Sequence, residues 1–369
     1  MKIIWFSEIK WSYLRTRKQN ILTKFNASDE ILFIEPVSFN LKNKFNISIQ
    51  KNIKNITIPQ IQNSDIGIIN HLINFYPIKK IIKIISFYMV NKLIKTYKPE
   101  LIITSNVFWI DYIFKLKNKL NIKIVYDCND NPLAFPNSLN KKQYFDKTIK
   151  FSHKIVVPLE SYMKFIPTKF HNKVSCISNG VDKELILRKK INLKNFNRLD
   201  NVVMYIGSID TRLDFDLLDN LSTNLKNYNF VFIGDVKKQS ESNFSKILIK
   251  KNIFHYKSIA YSQMGQCLLK AKVALIPFKK NLLSKNILPN KIFELSILGI
   301  PFIMTNFNND LKKLNPEFEI SDNINDFIKF IKKESYDRYK INNLIAFAKK
   351  YEWKDLAQKY RIFLKSIID

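Results

Sequence analysis

The sequence predicts an α/β protein built from two domains, each around a parallel sheet. Three observations predict it. Short apolar runs alternate with longer amphipathic segments along the whole chain, as in parallel sheets flanked by helices. The chain has 369 residues, more than one typical core organises. A charged stretch without strand character, KELILRKKINLKNFNRLD at 183–200, divides it.

In the first half the apolar runs are KIIWFS, EILFIEP, LIITS, KIVYD and HKIVVP, each short enough for a strand and bounded by polar residues. The segment Ile78–Lys98 between two of them reads as a long helix. The second half restarts with VVMYIG. A helix after Asp214 follows, then FVFIG, FHYKS, ALIPF and PFIMT. The two halves predict Rossmann-like domains over 1–190 and 195–345 with a cleft between them. The segment Asn342–Ile368 reads as terminal helix, with Trp353 opening an apolar stripe. As a plain terminal helix it caps the second domain.

Hydrophobic residues make up 46% of the chain, enough for two cores, and no apolar run reaches the length of a bilayer span. MKIIWFSEIKW lacks the apolar region and cleavage site of a secretion signal, and reads as a first buried strand. A cytoplasmic location is expected. Cys128, Cys176 and Cys267 lie far apart and form no metal-type pair. They are expected to be buried thiols, and His71, His153, His171 and His255 show no ligand spacing either. No metal is expected.

The net charge of +30 suits an anionic partner: a nucleotide, a nucleic acid or a membrane surface. It is spread along the chain and heavier over residues 1–190. A composition rich in Lys, Ile and Asn supplies a competing, non-functional cause. No recognition-module pattern interleaves aromatic with basic residues, so nucleic acid is not the expected partner.

The most informative stretch runs from Val273 to Thr305. A strand ends at Pro277, a polar loop follows, and a short helix opens at Pro289-Asn290-Lys291 and stops near Gly299. Pro301 leads into another strand. A helix N-terminus presents free N–H groups and the positive end of its dipole, which attract phosphate. Lys291 adds a cation in the first turn. Glu294, three residues on, projects from nearly the same face. A cation for diphosphate beside a carboxylate for sugar hydroxyls is what a nucleotide-sugar site needs. An ordinary βαβ unit with a solvated Lys and Glu is the competing account.

This stretch resembles the donor-binding segment of GT-B glycosyltransferases, where a Pro-x-Lys-x-x-Glu helix precedes Gly-x-Pro and a strand. Further matches follow in order. Asn179-Gly180-Val181-Asp182, read as a tight turn with positive backbone dihedrals, resembles the end of the first domain in enzymes related to family 4. MYIGSIDTRLDF resembles their donor-domain strand and glycine turn. Gly207 there lets backbone approach a diphosphate, and Arg212 is within reach to take a phosphate. In the first half, Arg17 and Gln19, EILFIEP and Tyr126-Asp127-Cys128-Asn129-Asp130 resemble bacterial teichuronic-acid and exopolysaccharide glycosyltransferases. The set covers most of the chain.

The resemblance, which includes the Tyr351-Glu352-Trp353 step, implies a GT-B fold whose C-terminal helix, about 350–369, crosses back to the first domain. It also implies a nucleotide-sugar donor and a glycan or lipid-linked acceptor in bacterial surface polysaccharide synthesis. Asp127 and Asp130 stand where a strand runs into a loop, at the crevice side of an open sheet. Either is placed to accept the proton of an acceptor hydroxyl or to position the acceptor; a turn-capping role competes. Trp11, Arg15 and Arg17 follow the first strand and are assigned to the acceptor side. One departure stands out. Family 4 enzymes commonly carry two Glu, the first touching the donor sugar, and that first position is Asn286 here. Lys79, Lys80, Lys83, Lys92, Lys95 and Lys98 give Ile78–Lys98 the look of a basic helix for an anionic membrane surface. A sheet-packed helix with solvated lysines competes. The alternatives are a nucleotide-sugar epimerase or phosphorylase of GT-B architecture and, in another class, a basic nucleic-acid-binding protein.

Overall fold

The structure, a computed structural model, describes residues 1–12, 15–37, 51–61, 75–120, 122–134, 141–183 and 193–368. His71 and the connector at 184–192 lie outside the described residues. The chain forms two compact units. The first is Met1–Ser178 with Lys354–Asp369, and the second is Asn179–Trp353.

Among the described residues the first unit holds seven strands: β1 (Lys2–Phe6), β2 (Glu30–Val37), β3 (Ile53–Ile61), β4 (Leu101–Thr104), β5 (Lys123–Asp127), β6 (Lys154–Val157) and β7 (Val174–Cys176). They pair in parallel in the order β3-β2-β1-β4-β5-β6-β7. β1, β4 and β5 are almost continuously apolar because both faces are covered. Helices α1 (Arg17–Leu22), α2 (Tyr76–Tyr97), α3 (Ile110–Leu120) and α4 (Lys141–Phe151) connect them. Val90 and Ile94 of α2 pack on Ile4, Leu32 and Ile102 of the sheet.

The second unit repeats the plan with β8 (Val202–Ile206), β9 (Asn229–Ile233), β10 (Ile253–Tyr256), β11 (Val273–Ile276), β12 (Phe302–Met304) and β13 (Glu319–Ile320). Their order is β10-β9-β8-β11-β12-β13, again parallel. In both sheets the order reverses beside the first strand, at β1/β4 and at β8/β11. Ligands of open α/β sheets bind at the carboxyl ends of such strands. Its helices are α5 (Phe215–Asn224), α6 (Glu241–Leu248), α7 (Tyr261–Leu268), α8 (Asn290–Ile297), α9 (Leu311–Leu314), α10 (Ile324–Lys332) and α11 (Arg338–Lys349).

The expected single terminal helix is two. α11 ends at Lys349, and α12 (Trp353–Ile368) begins after a break. At the break the Val181 N–H donates to the Tyr351 carbonyl (2.9 Å), and the Trp353 N–H donates to the Val181 carbonyl (3.0 Å). This short parallel bridge takes backbone groups that helix continuation would need. From Lys354 onward α12 returns to the first unit. Tyr360, fully buried, stacks on Trp5 at 6.1 Å, and the Arg361 guanidinium pairs with buried Asp29 at 2.6 Å. The three cysteines are free, and Cys176 is exposed, because β7 is the edge strand of its sheet.

Candidate functional site

In the second unit, β8 and β9 each end on a glycine at positive φ: Gly207 at +139° and Gly234 at +155°. A Cβ on Gly234 would sit 2.7 Å from the Gly207 carbonyl carbon and closer still to its oxygen, so only glycine lets the two strand ends pass this tightly. A Cβ on Gly207 would in turn lie 2.7 Å from Lys291 Cε, and nearer to Nζ. The expectation was that Gly207 clears room for a diphosphate. The structure shows what it clears room for within the protein: the end of the Lys291 side chain.

Lys291 arrives there from the first turn of α8. Pro289 is the N-cap, and no side chain caps the helix. Gly299, at φ +65°, ends it, and the Gly299 and Ile300 N–H groups donate to the Ser296 and Leu295 carbonyls. Asn290 and Lys291 are the first two helical residues, so their N–H groups belong to the unsatisfied first turn. The Lys291 ammonium lies 5.4 Å over the Tyr205 ring. Among the described residues it has no hydrogen-bond acceptor. Its pKa is pulled down to about 8: burial lowers it most, Glu294 raises it, Arg212 lowers it and Asp210 raises it. Glu294 is 7% exposed, and among the described residues no donor reaches its carboxylate. Burial pushes its pKa up to about 7 against the pull of Lys291. A buried carboxylate, a desolvated ammonium and an open helix N-terminus leave hydrogen-bonding capacity that the protein itself does not use.

Arg212 flanks this cluster. Its backbone is fixed because the segment after β8 pairs with the segment after β11: the Lys279 N–H donates to the Arg212 carbonyl at 2.7 Å. Its guanidinium lies 5.5 Å over the Phe278 ring and holds Asp210 bidentately, through Nε (2.8 Å) and Nη2 (2.5 Å). Burial pushes the Asp210 carboxyl up, but the Arg212 guanidinium prevails and keeps it below the usual carboxylate value. The loop 279–289 is anchored at its end. Asn179 Nδ2 donates to the Leu288 carbonyl (2.9 Å), and Asn308 Nδ2 to the Ile287 carbonyl (3.1 Å). Gly180 does not take the positive φ expected of Asn179-Gly180. The work of this motif is done by the Asn179 amide, which secures the chain leading into α8. Asn286 is partly buried in the same loop.

The first-unit residues separate into two groups. Arg17 opens α1 and is 3% exposed. Its Nε pairs with Asp127 (3.3 Å), its Nη1 donates to the Ser178 carbonyl (2.6 Å), and it faces the Tyr360 ring at 5.9 Å. It thus joins α1, the end of β5, the chain after β7 and α12. Asp127 is fully buried, and burial raises its pKa against the pull of Arg17. A covered carboxylate gripped by a guanidinium is poorly placed to meet an acceptor hydroxyl. Asp130, three residues on, is exposed. Trp11 is 1% exposed, packs edge-on against Phe33 at 5.0 Å, and its backbone N–H donates to Glu35 Oε2 at 2.7 Å. It is core, not lining, as expected of a large apolar ring beside a strand. Arg15 is partly buried and donates to Asn20 Oδ1 at 2.6 Å.

Tyr205, Asp210 and Gly234 complete the second-unit cluster without having been singled out from sequence. Gly234 had a readable signal, since it ends FVFIG as Gly207 ends VVMYIG. Among the described residues, no group of three or more His, Cys, Asp or Glu is arranged to hold a metal ion. No described helix is long and apolar enough to cross a membrane.

No protein-family model matches the chain. A stretch of 226 residues is 21% identical to TuaH of Bacillus subtilis (strain 168), whose name gives it as a glycosyltransferase of teichuronic acid biosynthesis. The match spans 56% of this chain and 57% of TuaH, little more than half of either. Among solved structures, sucrose-phosphate synthase of Thermosynechococcus elongatus superposes with a TM-score of 0.72 at 12% identity, over 99% of this chain and 100% of that one. Anabaena HepE in complex with UDP gives 0.69 at 12% identity, over 99% and 100%. The E. coli trehalose-6-phosphate protein bound to UDP-2-fluoro glucose gives 0.70 at 9% identity, over 100% and 99%. At these identities the likeness is one of fold, and it runs the length of the chain: this protein has the GT-B fold.

Proposed function

We propose that this chain is a glycosyltransferase that moves a sugar from a nucleotide-sugar donor to a glycan or lipid-linked acceptor of a bacterial surface polysaccharide. The observation that carries the reading is the start of α8, uncapped, where buried Glu294 and half-buried Lys291 have no hydrogen-bond partner among the described residues. The likeness to TuaH supports the polysaccharide setting, and the UDP complexes of HepE support a uridine nucleotide donor.

In this reading the donor diphosphate lies at the first turn of α8, against the Lys291 ammonium. As the sugar–phosphate bond breaks, negative charge grows on the leaving diphosphate. Lys291, the helix N-terminus and the nearby Arg212 stabilise it, so the step calls on no metal. Glu294 accepts from the ribose hydroxyls, which provide the missing donors. The sugar faces the loop 279–289, where Asn286 stands in place of a carboxylate. On the acceptor side, exposed Asp130 takes the proton of the attacking hydroxyl. Asp127 and Arg17 tie the end of β5 to the chain after β7. A lipid-linked acceptor would place the enzyme on the inner face of the plasma membrane as a peripheral protein.

A donor screen that follows nucleoside diphosphate release tests the proposal. Release that depends on one nucleotide sugar and on acceptor, and is lost in Lys291→Ala, is the expected result. Turnover without diphosphate release would instead favour an epimerase of the same architecture.

A further inference from the structure

The lysines of α2 are less informative than the apolar residues between them. Buried positions of this helix are Ser86, Val90 and Ile94, all from its midpoint onward. From Tyr76 to Ile85 no residue is buried. Ile81, Ile84, Ile85 and Tyr88 recur at helical spacing on one stripe, and they are 55%, 60%, 47% and 66% exposed. A helix that packs on a sheet along its whole length would not show this. Exposed apolar stripes of this size mark a contact surface.

Beside the stripe, toward α3, lies a cavity of about 170 Å³ lined by Lys80, Lys83 and Lys115, with Phe87, Tyr112 and Asp111. Lys115 sits 5.0 Å over the Phe87 ring. Lys83 pairs with Asp111 at 2.9 Å, and Lys147 adds a second cation to the same carboxylate at 2.6 Å. Two lysines thus hold Asp111, and Lys80 and Lys115 add two more cations to the wall of the cavity. Exposed Lys79 adds to the positive rim. Two copies of this face would bring lysine against lysine, so self-association is disfavoured. A surface that is apolar along a ridge and cationic beside it matches a bilayer of anionic phospholipid. The ridge enters the interface, and the cavity takes a headgroup phosphate.

We infer that the N-terminal half of α2, with the α2–α3 lysine cavity, is the face by which this protein docks on anionic phospholipid. The inference rests on the proposed action on a lipid-linked acceptor and names the surface that delivers it. Docking is expected to use both parts. The apolar stripe gives depth, and each lysine near the surface contributes about fivefold to partitioning at low salt.

Co-sedimentation of the full chain tests this, with vesicles of phosphatidylcholine alone and of phosphatidylcholine mixed with phosphatidylglycerol. Two double variants accompany the wild type: Ile81→Ser with Ile84→Ser, and Lys80→Gln with Lys115→Gln. The first leaves net charge unchanged, so its effect cannot come from the general basicity of the chain. Binding to the anionic vesicles alone, weakened by salt and cut at least tenfold in both variants, is the expected result. Equal binding to both vesicles, or anionic binding that survives the Ile variant, would overturn it. So would a concentration-dependent dimer lost in that variant, or a lysine-dependent site for inorganic phosphate without vesicle binding. Titration with a nucleoside diphosphate on the same preparations separates the two readings. Retained nucleotide binding with no docking sinks only the surface, and docking without nucleotide binding sinks only the enzymatic reading.

Discussion

Lys291 and Gly207 share one volume: the lysine's terminal methylene and ammonium fill the space that a side chain at 207 would occupy. The glycine at the end of β8 and the cation at the start of α8 are thus one device, although 84 positions apart in the chain. Gly207→Ala should displace the Lys291 ammonium and strain a backbone at φ +139°. Nucleotide affinity is expected to fall at least tenfold, together with a loss of thermal stability of a few degrees. Unaltered affinity, measured by calorimetry on the folded variant, would show that the lysine's position is immaterial.

Lys291→Ala should remove one charge-assisted phosphate contact, costing about 1.5–3 kcal/mol of nucleoside diphosphate binding. The pKa of about 8 adds a second signature. The ammonium loses its proton as pH rises through that value, so wild-type affinity should weaken above about pH 8. The alanine variant should show no such decline, and affinity measured from pH 6.5 to 9.5 checks both.

Glu294→Gln should make the protein more stable and a poorer nucleotide binder. The folded-state pKa of about 7 exceeds the ordinary glutamate value of 4.5. The unfolded chain therefore ionises first, and folded stability falls as pH rises from about 4.5 to 7. It stays lower above that. An amide carries no such charge, so melting temperatures of the variant and wild type should diverge over this window. The gain above pH 7 is on the order of 1 kcal/mol or more. A stability gain coupled to a binding loss is the mark of a group retained for its ligand. Equal melting curves at pH 5 and pH 8 would mean that the carboxylate is not strained.

Asp127→Asn should act through structure. It removes the charge from the buried pair with Arg17, at a cost of about 3–5 kcal/mol. Asp130→Asn, on an exposed side chain, should leave the melting temperature unchanged and lower turnover. A stable, inactive Asp127→Asn protein would reverse the two assignments.

Much of this was legible in the sequence, and the gaps have physical causes. Strands such as β1, β5 and β11 announce themselves because parallel strands covered on both faces are continuously apolar. β3, IKNITIPQI, went unread: it lies at the sheet edge, alternates polar with apolar residues and carries Pro59, so it lacks that signal. The helix around Lys291 and Glu294 was legible from Pro289 and Gly299, which punctuate it. The roles of Tyr205 and Asp210 were not, because they depend on which side chain folds back across a strand end. Trp11 was misplaced for a similar reason. Its position after β1 suggested the crevice, yet its partners Phe33 and Glu35 come from β2 and carry it into the core. The break at Tyr351–Trp353 depends on Val181, a partner distant in sequence, and local helical periodicity carries no trace of it.

The proposed nucleoside diphosphate site at the start of α8 stands on Lys291 and Glu294. Calorimetric titration of uridine and guanosine diphosphates into the wild type, Lys291→Ala and Glu294→Ala, with a random oligonucleotide as control, tests it most directly. The account predicts saturable 1:1 binding of one diphosphate by the wild type, weakened at least tenfold in each variant. It predicts only weak, salt-sensitive binding of the oligonucleotide. Absence of saturable nucleotide binding by the wild type, or equal affinity in folded Lys291→Ala and Glu294→Ala, would contradict it.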